Sequence, residues 1–279
     1  MTSKIPNIHQ KLTQKITLYY QTFPQVKAIA LSGSQVNQVA DNSSDIDLYV
    51  YHTEPIPVSE RERIVAESGA IRADVGLTFW GPGDEWVDAV TGIGVDIIYW
   101  EVAWIEEQID RVMVHHQPSV GYSTAFCHTL RNSQVMHDPT GWLTALVEKA
   151  KQSYPEPLQK AIIAHNYPLL RQVIPAYFNQ IKKAIQREDP VSVNHRVAGF
   201  LASYFDVLFA LNHQTHPGEK RLLKIAEQCH KVPVNMVEQI NLILQLSGTV
   251  DEAILGHINN LVDALDTMMV AEGFEVGTR

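Results

Sequence analysis

Two hydrophobic patterns divide this chain of 279 residues. In the first half, short apolar runs and strict alternations dominate. Ala28-Ile29-Ala30-Leu31 is a continuous apolar run with the length of a buried strand. Asp45-Ile46-Asp47-Leu48-Tyr49-Val50 alternates polar and apolar positions and predicts a half-buried strand. Residues 71–80 and 95–100 predict two further strands. Helical spacing is interleaved with them. Ile8, Leu12, Ile16 and Tyr19 mark one face of a helix over 7–22, and a second helix runs over 60–67, capped by Ser59 and ended by Gly69. A third follows at 104–115, and a short one is expected at 123–131. Proline and glycine predict a turn at 53–57 and a loop at 81–86.

After Asp138-Pro139 the strand pattern nearly vanishes. Helical periodicity runs over 140–152, 156–187, 190–213, 217–229, 234–247 and 250–271. Pro168 and Pro175 should kink or break the second of these. The expected fold is an α/β (α+β) domain over residues 1–138 followed by an all-α helical domain over 139–279.

The alternation has a chemical consequence. On a strand, Asp45 and Asp47 point to the same face. Two adjacent carboxylates repel each other and are costly to desolvate unless a cation joins them. Oxygen ligands of this kind suit magnesium, which takes one or two carboxylates together with substrate phosphates. The preceding strand stops at Gly33-Ser34, a turn whose backbone N–H groups and hydroxyl can meet phosphate oxygens. Asp96 lies inside the apolar strand Val95-Asp96-Ile97-Ile98, where an acid without a role would be costly. Metal ligand and general base are both open to it.

Three further groups invite a ligand. Glu85, with Asp84 and Asp88, makes an acidic stretch beside Trp80, Trp86 and Trp100, suited to a cationic acceptor. Ser192, His195, Arg196, Ser203 and Asp206, with Gly199, form one polar stripe on an otherwise apolar helix that Asp189 caps. That stripe avoids Lys and Glu, so we expect it to face a ligand cleft between the domains rather than solvent. Lys220 and Arg221 stand together at a helix start, against the helix dipole, and are candidate triphosphate contacts.

Composition narrows the partners. Asp and Glu number 31 against 22 Lys and Arg, a formal net charge of −9, which argues against a long nucleic-acid partner. Cys127 and Cys229 show neither metal-ligand spacing nor a disulfide framework. The N-terminal residues lack a charged-then-apolar signal pattern, and the most apolar segment, 197–211, is short for a membrane span and contains Asp206. A cytoplasmic location with no membrane partner is expected. Oligomeric state stays open.

Gly33-Ser34, ten residues, then Asp45-Ile46-Asp47-Leu48, with Asp96 on a later strand, resembles the signature of the polymerase-beta-like nucleotidyltransferase superfamily. The two-part arrangement looks like its antibiotic-modifying branch, the aminoglycoside and lincosamide nucleotidyltransferases. Segments 192–196 and 216–222 are similar to a bacterial two-domain subfamily without an assigned acceptor. The resemblance implies a mixed-sheet catalytic domain, then a helical bundle. It implies two Mg2+ ions on Asp45, Asp47 and Asp96, and a triphosphate held by Gly33 and Ser34. The implied reaction is transfer of a nucleoside monophosphate from an NTP, with ATP the expected donor, to a hydroxyl of a small acceptor. The acidic composition favours a cationic one, contacted by Glu85, His195, Arg196 and Asp206. The alternatives are a protein-modifying nucleotidyltransferase of the antitoxin kind and a non-catalytic nucleotide-binding module.

Overall fold

The computed structural model describes residues 8–33 and 45–277. Among them, six strands form one mixed sheet in the order β3-β4-β5-β2-β1-β6. The strands are β1 (Val26–Ser32), β2 (Ile46–His52), β3 (Ala70–Leu77), β4 (Gly83–Asp88), β5 (Gly94–Glu101) and β6 (Gln134–His137). Only β2 and β5 pair in parallel; the other neighbours are antiparallel. The N-terminal α/β region is followed by a helical one, as the periodicity predicts.

One face of the sheet carries the apolar half of each alternation. Ile29, Ile46, Leu48, Val50, Val95 and Ile97 are buried there against Leu12, Ile16 and Tyr20 of α1 (Ile8–Tyr20) and Ile64 and Val65 of α2 (Val58–Ser68). Full burial of one such side chain contributes about 1.5–3 kcal/mol, which pins the strand register, because a one-residue slip would turn this set outward. The helix α2 begins after Pro57 without a side-chain cap, so Ser59 lies inside it rather than at its boundary. Gly69 ends it in the left-handed conformation, as expected.

The loop expected at 81–86 is instead largely strand β4, paired on both sides. Asp84 is buried on the apolar face. Its carboxylate accepts from Tyr99 Oη at 2.5 Å and from the Gly76 amide at 2.8 Å, and it pairs with Arg61 at 3.2 Å. Asp88 is also buried, and its Oδ1 accepts from the Thr91 amide and hydroxyl. Neither is available as a solvated acid for a ligand. Trp86 is buried in the core and Trp80 is fully exposed, so the three tryptophans do not gather as an edge for that stretch.

The contacts divide the chain into two compact units. One comprises the residues up to Asp110 together with Phe126–Gln152; the other comprises Arg111–Ala125 and the residues from Ser153 onward. A single cut after residue 138 does not describe this division. The helix α5 (Trp142–Lys151) belongs with the sheet, and the segment 111–125, which takes in the last residues of α3 (Val102–Met113) and the first of α4 (Ala125–Arg131), belongs with the helices.

The helical unit contains α6 (Glu156–Arg171), α7 (Tyr177–Gln186), α8 (Pro190–Leu211), α9 (Leu222–Ala226), α10 (Met236–Leu246) and α11 (Ala253–Ala271). Pro168 is accommodated inside α6; the break comes at 172–176, around Pro175. Asp189 caps α8 by accepting from the Ser192 amide at 3.0 Å. Arg171 ties α6 to α11 through Asp263 and Asp266.

Candidate active site

The second face of the sheet carries a series of acidic side chains. Ser32 pairs with Asp47, Asp47 with Asp96, Asp96 with Glu85, and Glu85 with Asp74. Residues directly opposite on neighbouring strands share a face, with strands about 4.8 Å apart. The carboxylates of Asp47, Asp96, Glu85 and Asp74 therefore form one row across four strands. Asp47 and Asp96 are half-buried, whereas Glu85 and Asp74 are exposed. Asp45 directly precedes β2 and is exposed.

Two glycines open space for two of these acids. At Gly33, where φ is +76°, a Cβ would stand 1.9 Å from Asp47 Oδ2. At Gly94, the first residue of β5, a Cβ would stand 2.3 Å from Asp45 Oδ1. Backbone thus lies against each carboxylate where any other residue would push it away. Gly94 escapes a sequence reading centred on Asp-x-Asp; its one signal is a glycine two residues before a strand acid. Ser34, the other half of the expected phosphate turn, lies outside the described residues.

Beside the row, the same face is aromatic. Tyr49 pairs with Ala30 on one side and Ile98 on the other, so a small residue leaves its ring room. The Tyr49 ring lies 4.4 Å from that of Trp100, centroid to centroid, and Trp104 and Phe126 extend the cluster. Burial pushes the Tyr49 phenol up to about 12, and the charges of Asp47 and Asp96 add to that shift. Both carboxylates are therefore within electrostatic reach of the phenol.

The donor set on this face is all oxygen, with carboxylates side by side, and so fits magnesium. Among the described residues, no three His, Cys, Asp or Glu side chains converge as a ready-made metal cage. Magnesium commonly takes only one or two protein carboxylates and completes its shell with phosphate oxygens and water.

The helical unit treats its expected residues unequally. On α8, His195 and Arg196 are exposed and Ser192 is half-buried, but Ser203 and Asp206 are buried. Gly199 lets α7 approach, since a Cβ there would meet the Tyr177 ring at 2.7 Å. Asp206 is not free for an acceptor. Its carboxylate accepts from Ser123 Oγ at 2.6 Å, from the Ser123 amide at 3.1 Å and from Asn166 Nδ2 at 3.1 Å. It holds the segment before α4 to the helices, and acceptor binding is corrected to a structural role. Lys220 and Arg221 are exposed just before α9, with Arg221 left-handed. The preceding turn is set by buried His216, whose amide donates to Thr124 Oγ1 at 2.7 Å and whose Nδ1 accepts from the Gly218 amide at 3.1 Å.

Asp206 has a measurable consequence. Burial raises its carboxyl from 3.8 to about 7, against the pull of the Ser123 donors. The folded state therefore holds the proton more tightly than the unfolded chain. That contribution to stability is complete below about pH 4 and is lost as pH rises through about 7. Asp206→Asn should flatten this decline. Denaturant unfolding of both proteins at pH 5 and pH 8 measures it, and equal pH dependence would show that Asp206 does not titrate this way.

Cys127 and Cys229 are buried and, among the described residues, are not joined in a disulfide. Among the described residues, no helix is long and apolar enough to cross a membrane.

Residues 123–222 match a family described as a domain of unknown function, DUF4037. No curated protein matches the chain. Among solved structures, the chain is similar to a nucleotidyltransferase-like protein from Exiguobacterium sibiricum 255-15, at 11% identity and a TM-score of 0.43, over 94% of this chain and 75% of that one.

Proposed function

We propose that this protein transfers a nucleoside monophosphate from a nucleoside triphosphate to a hydroxyl of a small acceptor. The observation that carries the reading is the pairing of Asp47 with Asp96 on adjacent parallel strands, with Gly33 backbone against Asp47. The resemblance of Gly33-Ser34 and Asp45-Ile46-Asp47 to the polymerase-beta-like signature supports the same reaction class.

In this reading Asp45, Asp47 and Asp96 would hold magnesium, which when bound offsets the charge of the triphosphate and orients its oxygens. Gly33 and Ser34 are proposed to hold the outer phosphates. Asp96 orients the acceptor hydroxyl and takes its proton as the oxygen attacks the α-phosphorus. The bond from that phosphorus to the bridging oxygen breaks, and pyrophosphate leaves with the electron pair. Glu85, two strands from Asp47 in the row, is proposed to bind a cationic acceptor, with exposed His195 and Arg196 as further acceptor contacts. Lys220 and Arg221 are proposed as phosphate-binding cations on the ground of charge and exposure.

The test is pyrophosphate release from labelled triphosphates against a panel of small hydroxyl compounds, proteins and RNA. Label transfer to a small molecule, with stoichiometric pyrophosphate, is expected. Triphosphate binding without release under any condition would make the chain a non-catalytic nucleotide module, and label on a protein would make it a protein-modifying transferase. For the phosphate cations, Lys220→Ala or Arg221→Ala should weaken triphosphate binding about tenfold and monophosphate binding less, roughly the loss of one charge-assisted contact. Equal weakening of both nucleotides would remove these residues from the site.

A further inference from the structure

We propose that the outer edge of β3 pairs antiparallel with β3 of a second copy, about a two-fold axis through Ala73. The strand ends the sheet, and among the described residues it is paired only to β4. Its sequence, Ala70-Ile71-Arg72-Ala73-Asp74-Val75-Gly76-Leu77, has neither the lysine nor the proline that often blunts a free edge. Residues 71–74 are exposed, and among the described residues neither Arg72 nor Asp74 makes an ion pair.

Charge selects the occupant and its register. With Ala73 opposite Ala73, Arg72 of each copy faces Asp74 of the other, so both charges are answered twice by one symmetric operation. Centring on Arg72 would set Arg72 against itself, and centring on Asp74 would set Asp74 against itself. Like charges directly opposite are destabilising, so the self-pairing is specified at one register. Irregularities between Ala70 and Arg72 and between Val75 and Leu77 bound the regular stretch on both sides and limit slippage. In this register Arg72 of the second copy ends the carboxylate row that runs through Asp47, Asp96, Glu85 and Asp74. Ile71 of β3 is 70% exposed, and Phe79 and Trp80, two and three residues past the strand's end, are 83% and 100% exposed; we count them as apolar surface for an interface that strand pairing alone would leave small.

Two measurements test the proposal. Cross-linking of Ala73→Cys uses the short distance between opposed residues at the axis, and the two native cysteines are buried. Under mild oxidation a disulfide-linked dimer is expected; a chain that stays single overturns the pairing. By sedimentation the wild-type protein should have the mass of two chains. Arg72→Asp should raise the dissociation constant at least about tenfold, since two attractive pairs become two repulsive ones. The double variant Arg72→Asp with Asp74→Arg should restore it. A monomeric wild type, a dimer indifferent to Arg72→Asp, or a double variant that stays monomeric would each overturn the proposal. These readouts do not use nucleotide transfer and stand apart from it.

Discussion

Asp47→Asn is expected to lower nucleotide transfer by about 10³-fold, equivalent to roughly 4 kcal/mol of transition-state stabilisation. The substitution keeps the size and shape of the side chain and removes its charge. Asp47 lies beside Asp96 in register, and β2 packs its core through Ile46, Leu48 and Val50 on the other face. The core therefore does not register the change. Two neighbouring carboxylates also repel each other, and removing one charge relieves that repulsion. A loss of activity with retained stability separates a site residue from a structural one. Full transfer by Asp47→Asn, measured as pyrophosphate release, would remove the carboxylate row from the chemistry. A protein that unfolds would instead show that the charge has a structural partner.

Gly94→Ala should divide stability from activity in the same direction through a different cause. The added methyl would stand 2.3 Å from Asp45 Oδ1, at a backbone conformation open to any residue. The obstructed atom is the end of a flexible side chain, so it can yield at little cost to the fold. Replacing glycine also reduces the freedom of the unfolded chain, a stabilising effect of about 0.4–1 kcal/mol where the conformation is compatible. The carboxylate itself must move by about 1 Å, and a misplacement of that size can cost about 10²-fold in rate. Gly33→Ala should be worse on both counts. Its φ of +76° adds roughly 1–2 kcal/mol of backbone strain for a residue with a side chain, and its methyl would stand 1.9 Å from Asp47 Oδ2. Thermal melts and transfer rates on the two variants decide the matter. Wild-type rates in Gly94→Ala would show that Asp45 needs no fixed position.

Parts of this arrangement are legible in the order of residues. The strand containing Ile29 announces itself as a short continuous apolar run, and those containing Leu48 and Ile97 as short segments whose apolar positions surround an acid. The N-cap at Asp189 and the stop at Gly69 are local chemistry, settled by a few neighbouring residues. The strand β4 is not legible. Its stretch contains Gly83, Asp84, Glu85 and Asp88, and reads as a loop until its two neighbours supply hydrogen bonds and Arg61 supplies a charge for Asp84. The stripe on α8 shows a related limit. Periodicity places Ser192, His195, Ser203 and Asp206 on one side of a helix, but not what covers that side. The outer residues are exposed, while Asp206 is consumed by Ser123 and Asn166 from elsewhere in the chain.

The sequence by itself determined which side chains share a strand face, because alternation is a property of adjacent residues: Ile46, Leu48 and Val50 on one face of β2, with Asp47 on the other. Only the tertiary structure decided which strands lie side by side. Asp47, Asp96, Glu85 and Asp74 come from four separate strands, and their neighbourhood depends on register between segments that local propensity does not connect. Burial of the opposite face sets that register, since a slip of one residue would expose the core and scatter the row.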